Sequence, residues 1–244
     1  MTKENIAKTT IWFTIVMCIG YLVSFAKEAV VANYFGVSKE VDAYMVALQV
    51  PVILFAFVAV AIQSVVVPLY SDLLYKKGSE ESNVFACNLL ITVLLFASIF
   101  FIIGELFAGS IIYIFAPGFV LETHNLATKL LRITLPTIFF SLVAQVLTAV
   151  LNVHKRFVLP SISVVILNIG LILTIVLLHS RFGIVVACLG QIVGGICQTL
   201  FLVFIIRKLF HWRLVFNLND GTLKQAMKMS LPVFWSISIA EINA

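Results

Sequence analysis

Long apolar runs alternate with short polar segments along the chain. A helix needs about 20 apolar residues to cross the hydrocarbon core of a bilayer, and six runs reach that length or come close to it. We therefore predict six transmembrane helices, followed by a seventh apolar run, Met229 to Ala240, that is too short to span. The six predicted spans are Thr9 to Phe35, Ala43 to Tyr70, Asn83 to Ala116, Ile133 to Val153, Phe157 to Leu178 and Gly183 to Ile206.

The polar segments predict the connections between these spans. Gly36 to Val41 is short enough for a tight turn, and the charged stretch Ser71 to Ser82 predicts a solvated loop. The segment Gly221 to Ser230 has the pattern of a basic amphipathic helix lying on the membrane surface. We accordingly divide the chain into a six-helix transmembrane lobe, residues 1–215, and an interfacial segment with a truncated seventh helix, residues 216–244.

Composition supports the membrane assignment. The chain is 62% hydrophobic and 11% charged, whereas soluble domains are roughly a quarter charged. Its mean hydropathy is +1.14. The fold class predicted from these values is an all-α polytopic membrane protein. The net charge of +5 is explained by basic cytoplasmic loops, so we predict no nucleic-acid partner.

The distribution of basic residues predicts the orientation. Lys and Arg are enriched in the cytoplasmic loops of membrane proteins. With the N-terminus in the cytoplasm, eleven of them fall on that side, whereas only Lys39 and Arg181 fall clearly on the other. We therefore predict a multi-pass protein of the bacterial cytoplasmic membrane with a cytoplasmic N-terminus. The eleven are Lys3, Lys8, Lys76, Lys77, Lys155, Arg156, Arg207, Lys208, Arg213, Lys224 and Lys228.

Several kinds of chemistry lack their sequence motifs. The chain contains no G-x-x-x-x-G-K-[ST] motif, which nucleotide-hydrolysing P-loop proteins require, and no H-E-x-x-H zinc motif. No nucleophile and base pair up within a predicted span. The four cysteines lie in apolar runs without C-x-x-C spacing, which is typical of packing residues. We predict that the protein is not an enzyme and holds no metal and no cofactor.

Polar residues inside the spans are the strongest candidates for function. Charge within a membrane helix is costly and usually faces a cavity or a partner. Lys27 and Glu28 are such charges, and because adjacent residues cannot face each other on a helix, we expect at least one of them to point to another helix or to a water-filled cavity. The uncharged polar residues are expected to hydrogen-bond between helices or to line a pathway. They are Gln49, Gln63, Asn88, Gln145, Asn168, Gln191 and Gln198.

Small residues mark one predicted helix contact. Gly190 and Gly194 have the G-x-x-x-G spacing, and Gly195 follows directly. Such residues allow two membrane helices to approach closely. We therefore expect a neighbouring helix to pack tightly here, although the pattern does not say which one.

A set of ordered motifs resembles a known family. FAKEAVVANYFG followed by VDAYMVALQVP resembles the opening of the MurJ/MviN lipid II flippases of the multidrug/oligosaccharidyl-lipid/polysaccharide exporter superfamily. Val67-Pro68-Leu69-Tyr70, Ala116-Pro117-Gly118-Phe119 and SLPVFWSISIAEIN resemble later segments, so the resemblance covers essentially the whole chain. The residues that fit the opening pattern are Phe25, Lys27, Glu28, Phe35, Gly36, Asp42, Ala43, Tyr44 and Pro51, and Asn152, Arg156, Phe157 and Pro160 fit a later N-x-x-x-R-F-x-x-P junction that Asn168 follows.

The resemblance implies a bundle of two lobes around a charged cavity, of which this chain would be the N-terminal lobe. The implied function is flipping of a polyprenyl-diphosphate-linked saccharide, driven by an ion gradient or the membrane potential. Lys27 would attract the diphosphate, and Glu28 and Asp42 would tune or gate it. Together with Gln49 and Asn168 they form our candidate substrate-binding set. The implied partners are a lipid-linked glycan precursor, membrane lipids and a separate C-terminal lobe.

Three alternatives to lipid II remain open from the sequence. The first is export of another lipid-linked saccharide, such as O-antigen or exopolysaccharide units. The second is cation-coupled multidrug antiport within the same superfamily, which essential intramembrane acids would favour. The third is a truncated membrane scaffold that transports nothing.

Overall fold

A computed structural model of the chain describes residues 3–209, 212–213 and 215–242. Within these residues the secondary structure consists of nine α-helices, and there is no strand. The helices are α1 (Lys3–Phe35), α2 (Lys39–Lys76), α3 (Ser79–Leu106), α4 (Ala108–Phe115), α5 (Leu121–Thr134), α6 (Thr137–Val153), α7 (Val158–Phe182), α8 (Val185–Ile206) and α9 (Gly221–Ile242).

The described helices supply five of the predicted spans and a bent helix pair at the position of the sixth. Among the described residues, five segments are long and apolar enough to cross a membrane, namely α1 from Thr10 onward, α2, α3 continued by α4, α7 and α8. The pair α5 and α6, which is bent by 42°, gives a sixth span if the two helices cross the membrane together. The bend falls at Pro136, which lacks the N–H needed to continue the helical hydrogen bonds. The all-α polytopic fold class is thereby confirmed, with the fourth span broken near its start.

The connection between α2 and α3 is shorter than expected. The solvated loop predicted for Ser71 to Ser82 is wrong, because α2 continues to Lys76 and α3 begins at Ser79. The Lys76 Nζ lies 2.7 Å from the Asp72 Oδ2, one helical turn away, and such pairs support a helix end. The remaining turn contains Gly78 at φ 95°, a conformation that glycine adopts most easily.

α9 joins two features that were predicted separately. It contains the basic amphipathic segment and continues through the seventh apolar run, with Pro232 inside the helix. Asp220 caps its start, because the Asp220 Oδ2 accepts a hydrogen bond from the Leu223 N–H at 3.0 Å. Proline is tolerated inside membrane helices, so Pro232 does not end α9. The division of the chain between residues 215 and 216 stays a prediction.

The closest helix packing is between α7 and α8. A Cβ atom added to Gly170 of α7 would lie 2.9 Å from the Gly194 Cα, and one on Gly190 would lie 3.2 Å from the Leu171 Cα. A Cβ on Gly194 would overlap the carbonyl oxygen of Leu167. The predicted close approach at Gly190 and Gly194 is therefore confirmed, and the neighbouring helix is α7.

Two ion pairs join α3 to other parts of the chain. The Arg213 Nη1, after α8, lies 2.7 Å from the Glu80 Oε1 at the start of α3. The Arg132 Nε of α5 lies 3.8 Å from the Glu105 Oε2 near the end of α3.

Candidate functional site

The two charged residues inside α1 form an ion pair with each other. The Lys27 Nζ lies 2.7 Å from the Glu28 Oε1. Our expectation that these adjacent residues cannot face each other is therefore wrong. The four-carbon stem of lysine is long and flexible enough to bring its ammonium group around the helix to the adjacent carboxylate. The Lys27 side chain is 16% exposed and the Glu28 side chain is 53% exposed.

This ion pair lies well inside a membrane span. Lys27 is eight residues from the end of α1 at Phe35, about 12 Å along the axis at 1.5 Å per residue. A lone charge at such a depth is expensive, and pairing two opposite charges lowers that cost. α1 contacts mainly α7 and is largely exposed on its other sides. The exposed Glu28 carboxylate is thus accessible from outside the lobe.

A polar cavity adjoins α1 one turn from the ion pair. The cavity has a volume of about 350 Å³ and lies between α1, α6, α7 and α8. Ser24 lines it and precedes Lys27 by three residues, a spacing that places both side chains on neighbouring parts of one helix face. Its polar lining residues are Tyr21, Ser24, Gln145, Thr148, Ser161, Ser163, Asn168 and Gln198.

Asn168 is one of several cavity residues without a side-chain hydrogen bond to a described residue, as are Tyr21, Ser24 and Thr148. Asn168 is 6% exposed and lines the cavity from α7. Other polar groups nearby are paired, since the Gln198 Nε2 donates to the Ser163 Oγ at 3.3 Å. The Ser163 Oγ in turn donates to the Pro160 carbonyl at 2.7 Å. The Asn168 amide carries donors and an acceptor, and in this cavity they are available to a ligand or to water.

A second cavity extends this polar region toward α2. It has a volume of about 340 Å³, is lined by Pro51 and Gln191 among others, and shares Gln145 with the first cavity. The Gln63 Nε2 donates to the Gln145 carbonyl at 3.0 Å and to its Oε1 at 3.2 Å. The expected helix-to-helix hydrogen bonds of Gln63 and Gln145 are therefore confirmed. Together the two cavities make a polar region between α1, α2, α6, α7 and α8.

Asp42 and Gln49 lie apart from the ion pair. Asp42 is exposed in the first turn of α2, where its negative charge stabilises the positive N-terminal end of the helix dipole. The Asp42 backbone N–H donates a hydrogen bond to the Ser38 carbonyl at 3.1 Å. Gln49 is exposed on α2. Neither side chain has a hydrogen bond or an ion pair to another described residue. The structure therefore brings Lys27, Glu28 and the Asn168 cavity close together on α1 and α7, but it does not join Asp42 or Gln49 to them.

Sequence reasoning missed several cavity residues. Tyr21, Ser24 and Glu28 recur at positions i, i+3 and i+7, which indicates one polar helix face, but Tyr21 and Ser24 carry no charge to draw attention. Ser163 and Thr148 are equally ordinary polar residues in apolar runs. Among the described residues no group of three or more His, Cys, Asp or Glu side chains is placed to hold a metal ion.

The long apolar helices and the polar side chains between them define a class, a helical membrane protein. The chain superposes on a solved structure of a lipid II flippase MurJ in an inward closed conformation, with a TM-score of 0.79 and 29% identity, over 96% of this chain and 49% of that one. It also shares its fold with a MATE transporter, at a TM-score of 0.76 and 18% identity over 95% of this chain and 54% of that one.

Sequence comparisons narrow the class to one family. A family model described as lipid II flippase MurJ matches residues 31–244, so the chain belongs to this family. A probable lipid II flippase MurJ of Buchnera aphidicola is 31% identical over 203 residues, covering 81% of this chain and 39% of the relative. A lipid II flippase MurJ of Thermosipho africanus is 32% identical over 193 residues, covering 79% and 40%. The chain spans about half the length of these relatives or less.

Proposed function

We propose that the chain is the N-terminal lobe of a lipid II flippase, which moves a polyprenyl-diphosphate-linked saccharide across the bacterial cytoplasmic membrane. The observation that carries the proposal is the Lys27–Glu28 pair inside a span, one turn from a polar cavity. Family membership and the fold shared with a solved lipid II flippase support it. The substrate in this proposal is the lipid-linked glycan precursor, and membrane lipids surround the protein.

The chemistry of the ion pair suits a diphosphate. An ammonium group inside a span attracts a phosphate strongly because the surrounding dielectric is low. Glu28 neutralises Lys27 while the site is empty, and an entering diphosphate replaces Glu28 as the partner of Lys27. The Asn168 amide then offers donors and an acceptor to the polar part of the substrate. Asp42 and Gln49 would act nearer the outer end, where Asp42 gates entry or release.

Transport requires a second lobe. Alternating access depends on two bundles that rock against each other around a central site, and this chain matches about half of its relatives. The proposal therefore includes a C-terminal lobe as partner, from the same or a separate polypeptide. We further propose that an ion gradient or the membrane potential drives the cycle and that the protein catalyses no covalent reaction.

The proposed orientation puts the N-terminus in the cytoplasm. The basic residues near the ends of α2, α6 and α8 support it, because the cytoplasmic side is enriched in Lys and Arg. Cysteines introduced at Ser79 and Val37, at opposite ends of the bundle, test it in a background without native cysteines. An impermeant maleimide added to whole cells should label Val37→Cys alone, and labelling of Ser79→Cys alone would reverse the orientation.

Complementation of flippase-depleted bacteria tests the transport proposal. The chain, co-expressed with a C-terminal lobe of the family, should restore growth, and Lys27→Gln should abolish the rescue. Lys39→Gln removes an exposed charge just outside the same helix and serves as the matched control, which should grow like the parent. Equal growth of the Lys27 and Lys39 variants would contradict the proposed role of Lys27. If the chain and a C-terminal lobe are both correctly inserted and still give no rescue, the proposal of lipid II transport is wrong.

One observation favours a second candidate, cation-coupled antiport. The Glu28 carboxylate is half exposed inside a span, where a proton or a metal cation can reach it. In that case Glu28→Gln should abolish transport more completely than Lys27→Gln. Drug-efflux assays with the same variants separate the two candidates, because a flippase should not change drug resistance.

A further inference from the structure

An apolar groove lies outside the polar region, between α2, α3 and the start of α9. Its volume is about 580 Å³. α9 packs along α2 through Leu223 and Ala226, which are 0% and 3% exposed, but it meets α3 at few positions. The space between α3 and α9 is therefore left open, and it is lined almost entirely by apolar side chains.

The groove runs along the helix axes. Its lining extends from Val58 to Val66 on α2, about 12 Å, and from Leu89 to Phe96 on α3, about 10 Å, at 1.5 Å per residue. Phe96 lies in the middle of α3 and is 48% exposed. The groove thus reaches from the end of the bundle where α9 begins to the middle of the hydrocarbon region, and it is open to lipid.

The end of the groove nearest the start of α9 is positively charged. Lys224 lines this end, and Lys228 follows one helical turn further along α9, from where its side chain leans back toward the start of the helix. The described lining residues include no acidic side chain. The Lys224 Nζ donates one hydrogen bond to the Asn219 Oδ1 at 3.0 Å, which leaves two of its N–H groups for a ligand. The nearby Asp220 carboxylate accepts a hydrogen bond from the Leu223 N–H at the start of α9.

We propose that this groove binds one anionic phospholipid, with an acyl chain between α3 and α9 and the phosphate at Lys224 and Lys228. An apolar channel parallel to the helices with two cations at one end is complementary to a lipid of this kind in both shape and charge. Basic amphipathic helices attract anionic lipid at about 1 kcal/mol per lysine. The bound lipid fills the space that α9 leaves against α3 and stabilises the position of α9.

Native mass spectrometry of the full chain in a neutral detergent tests this proposal. Phosphatidylglycerol and phosphatidylcholine with identical acyl chains are added separately, and the retained lipid adducts are titrated. We expect one phosphatidylglycerol to bind at least 10-fold more tightly than phosphatidylcholine. The double variant Lys224→Gln/Lys228→Gln should weaken phosphatidylglycerol binding roughly 30-fold, which corresponds to about 1 kcal/mol per lysine.

Two further variants make the result specific. Lys155→Gln/Lys208→Gln removes two exposed lysines at the same end of the bundle but outside the groove, and it should bind like the parent. Ala61→Trp fills the apolar part without changing charge, and it should weaken both lipids. Equal loss of phosphatidylglycerol binding in the two lysine double variants would overturn the proposal, as would unchanged binding after Lys224→Gln/Lys228→Gln.

Discussion

The α7–α8 contact and the α2–α3–α9 region solve the same packing problem in opposite ways. α7 and α8 touch backbone to backbone in the middle of the membrane, at Gly170 and Gly194. α2, α3 and α9 leave a groove of about 580 Å³ at the corresponding depth. They are held together by the apolar contacts of Leu223 and Ala226 with α2 and by polar contacts at one end, where Asn88 of α3 bonds twice to the Asn217 backbone.

The difference between these two regions shows two ways in which membrane helices associate without a hydrophobic driving force. Lipid tails are as apolar as leucine, so membrane helices gain from close packing of small residues or from hydrogen bonds between them. Glycines give α7 and α8 a contact that needs no polar group. The α2–α3–α9 region lacks such glycines, and its contacts form where polar side chains lie near the membrane surface. The glycines thus produce a tightly packed α7–α8 pair, whereas the α2–α3–α9 region retains an open groove.

The largest expected effect is on the glycine contact. Gly194→Ala places a Cβ against the Leu167 carbonyl, and because backbone cannot move aside like a side chain, we expect the free energy of unfolding to fall by about 3 kcal/mol. Gly20→Ala is the matched control in the α1–α7 contact, where the nearest atom is 3.7 Å away. Chemical denaturation in detergent measures both, and equal stability of the two variants would remove the contrast between the regions.

The next effect is local and concerns the polar end of the groove. Asn88→Ala removes two hydrogen bonds of 2.9 Å to Asn217, at a cost of about 1 to 3 kcal/mol. We expect faster hydrogen exchange over residues 215–230, with little change in α7 and α8. Asn125→Ala, an exposed asparagine on α5, is the control. Unchanged exchange in the Asn88 variant would mean that the apolar contacts of Leu223 and Ala226 hold α9 by themselves.

A smaller effect is expected for the polar bond within the rigid pair. Gln198→Met removes the hydrogen bond from Gln198 of α8 to Ser163 of α7 and keeps the side-chain length. We expect a loss of about 0.6 kcal/mol, the average for such bonds between membrane helices. Gln49→Met, on an exposed glutamine without a partner among the described residues, should change nothing. A loss as large as that of Gly194→Ala would show that polar bonds rather than glycines hold α7 to α8.

The smallest effect is a pH dependence near the end of the groove. Burial, followed by the charge of Arg156, holds the pKa of His154 below its ordinary value of 6.5. The unfolded chain therefore binds a proton at a higher pH than the folded one, so stability should fall as the pH drops through about 6.5 and below. His154 Nε2 lies 3.4 Å from the Tyr70 Oη.

Thermal denaturation between pH 5 and 8 detects this dependence. His154→Phe should flatten the profile relative to the parent chain. An identical slope in both chains would assign the acid sensitivity to other groups, and a rise in stability toward low pH would contradict the direction expected for His154.

The number of spans followed from the sequence, but the partners of the candidate residues did not. Apolar run length depends on local composition, and the six runs correspond to five long apolar spans and one bent helix pair. The Lys27–Glu28 ion pair contradicted a rule about helix faces because the reach of a lysine depends on its rotamer, which no pattern encodes. Asn168 looked like any intramembrane amide, and only the packing of α1, α6, α7 and α8 places it at a cavity without a hydrogen-bond partner among the described residues.

The membrane class, the order of the apolar runs, the small-residue contact site at Gly190 and Gly194, and the presence of charge inside α1 all followed from the sequence. Each of these depends on residues that are neighbours along the chain. The tertiary structure decided that α7 is the neighbour of Gly194, that α1, α6, α7 and α8 enclose a cavity, and that α9 leaves a groove against α3. Those features join residues far apart in the chain, and in a lipid environment many helix pairs are similarly apolar, so only the fit of their surfaces selects among them.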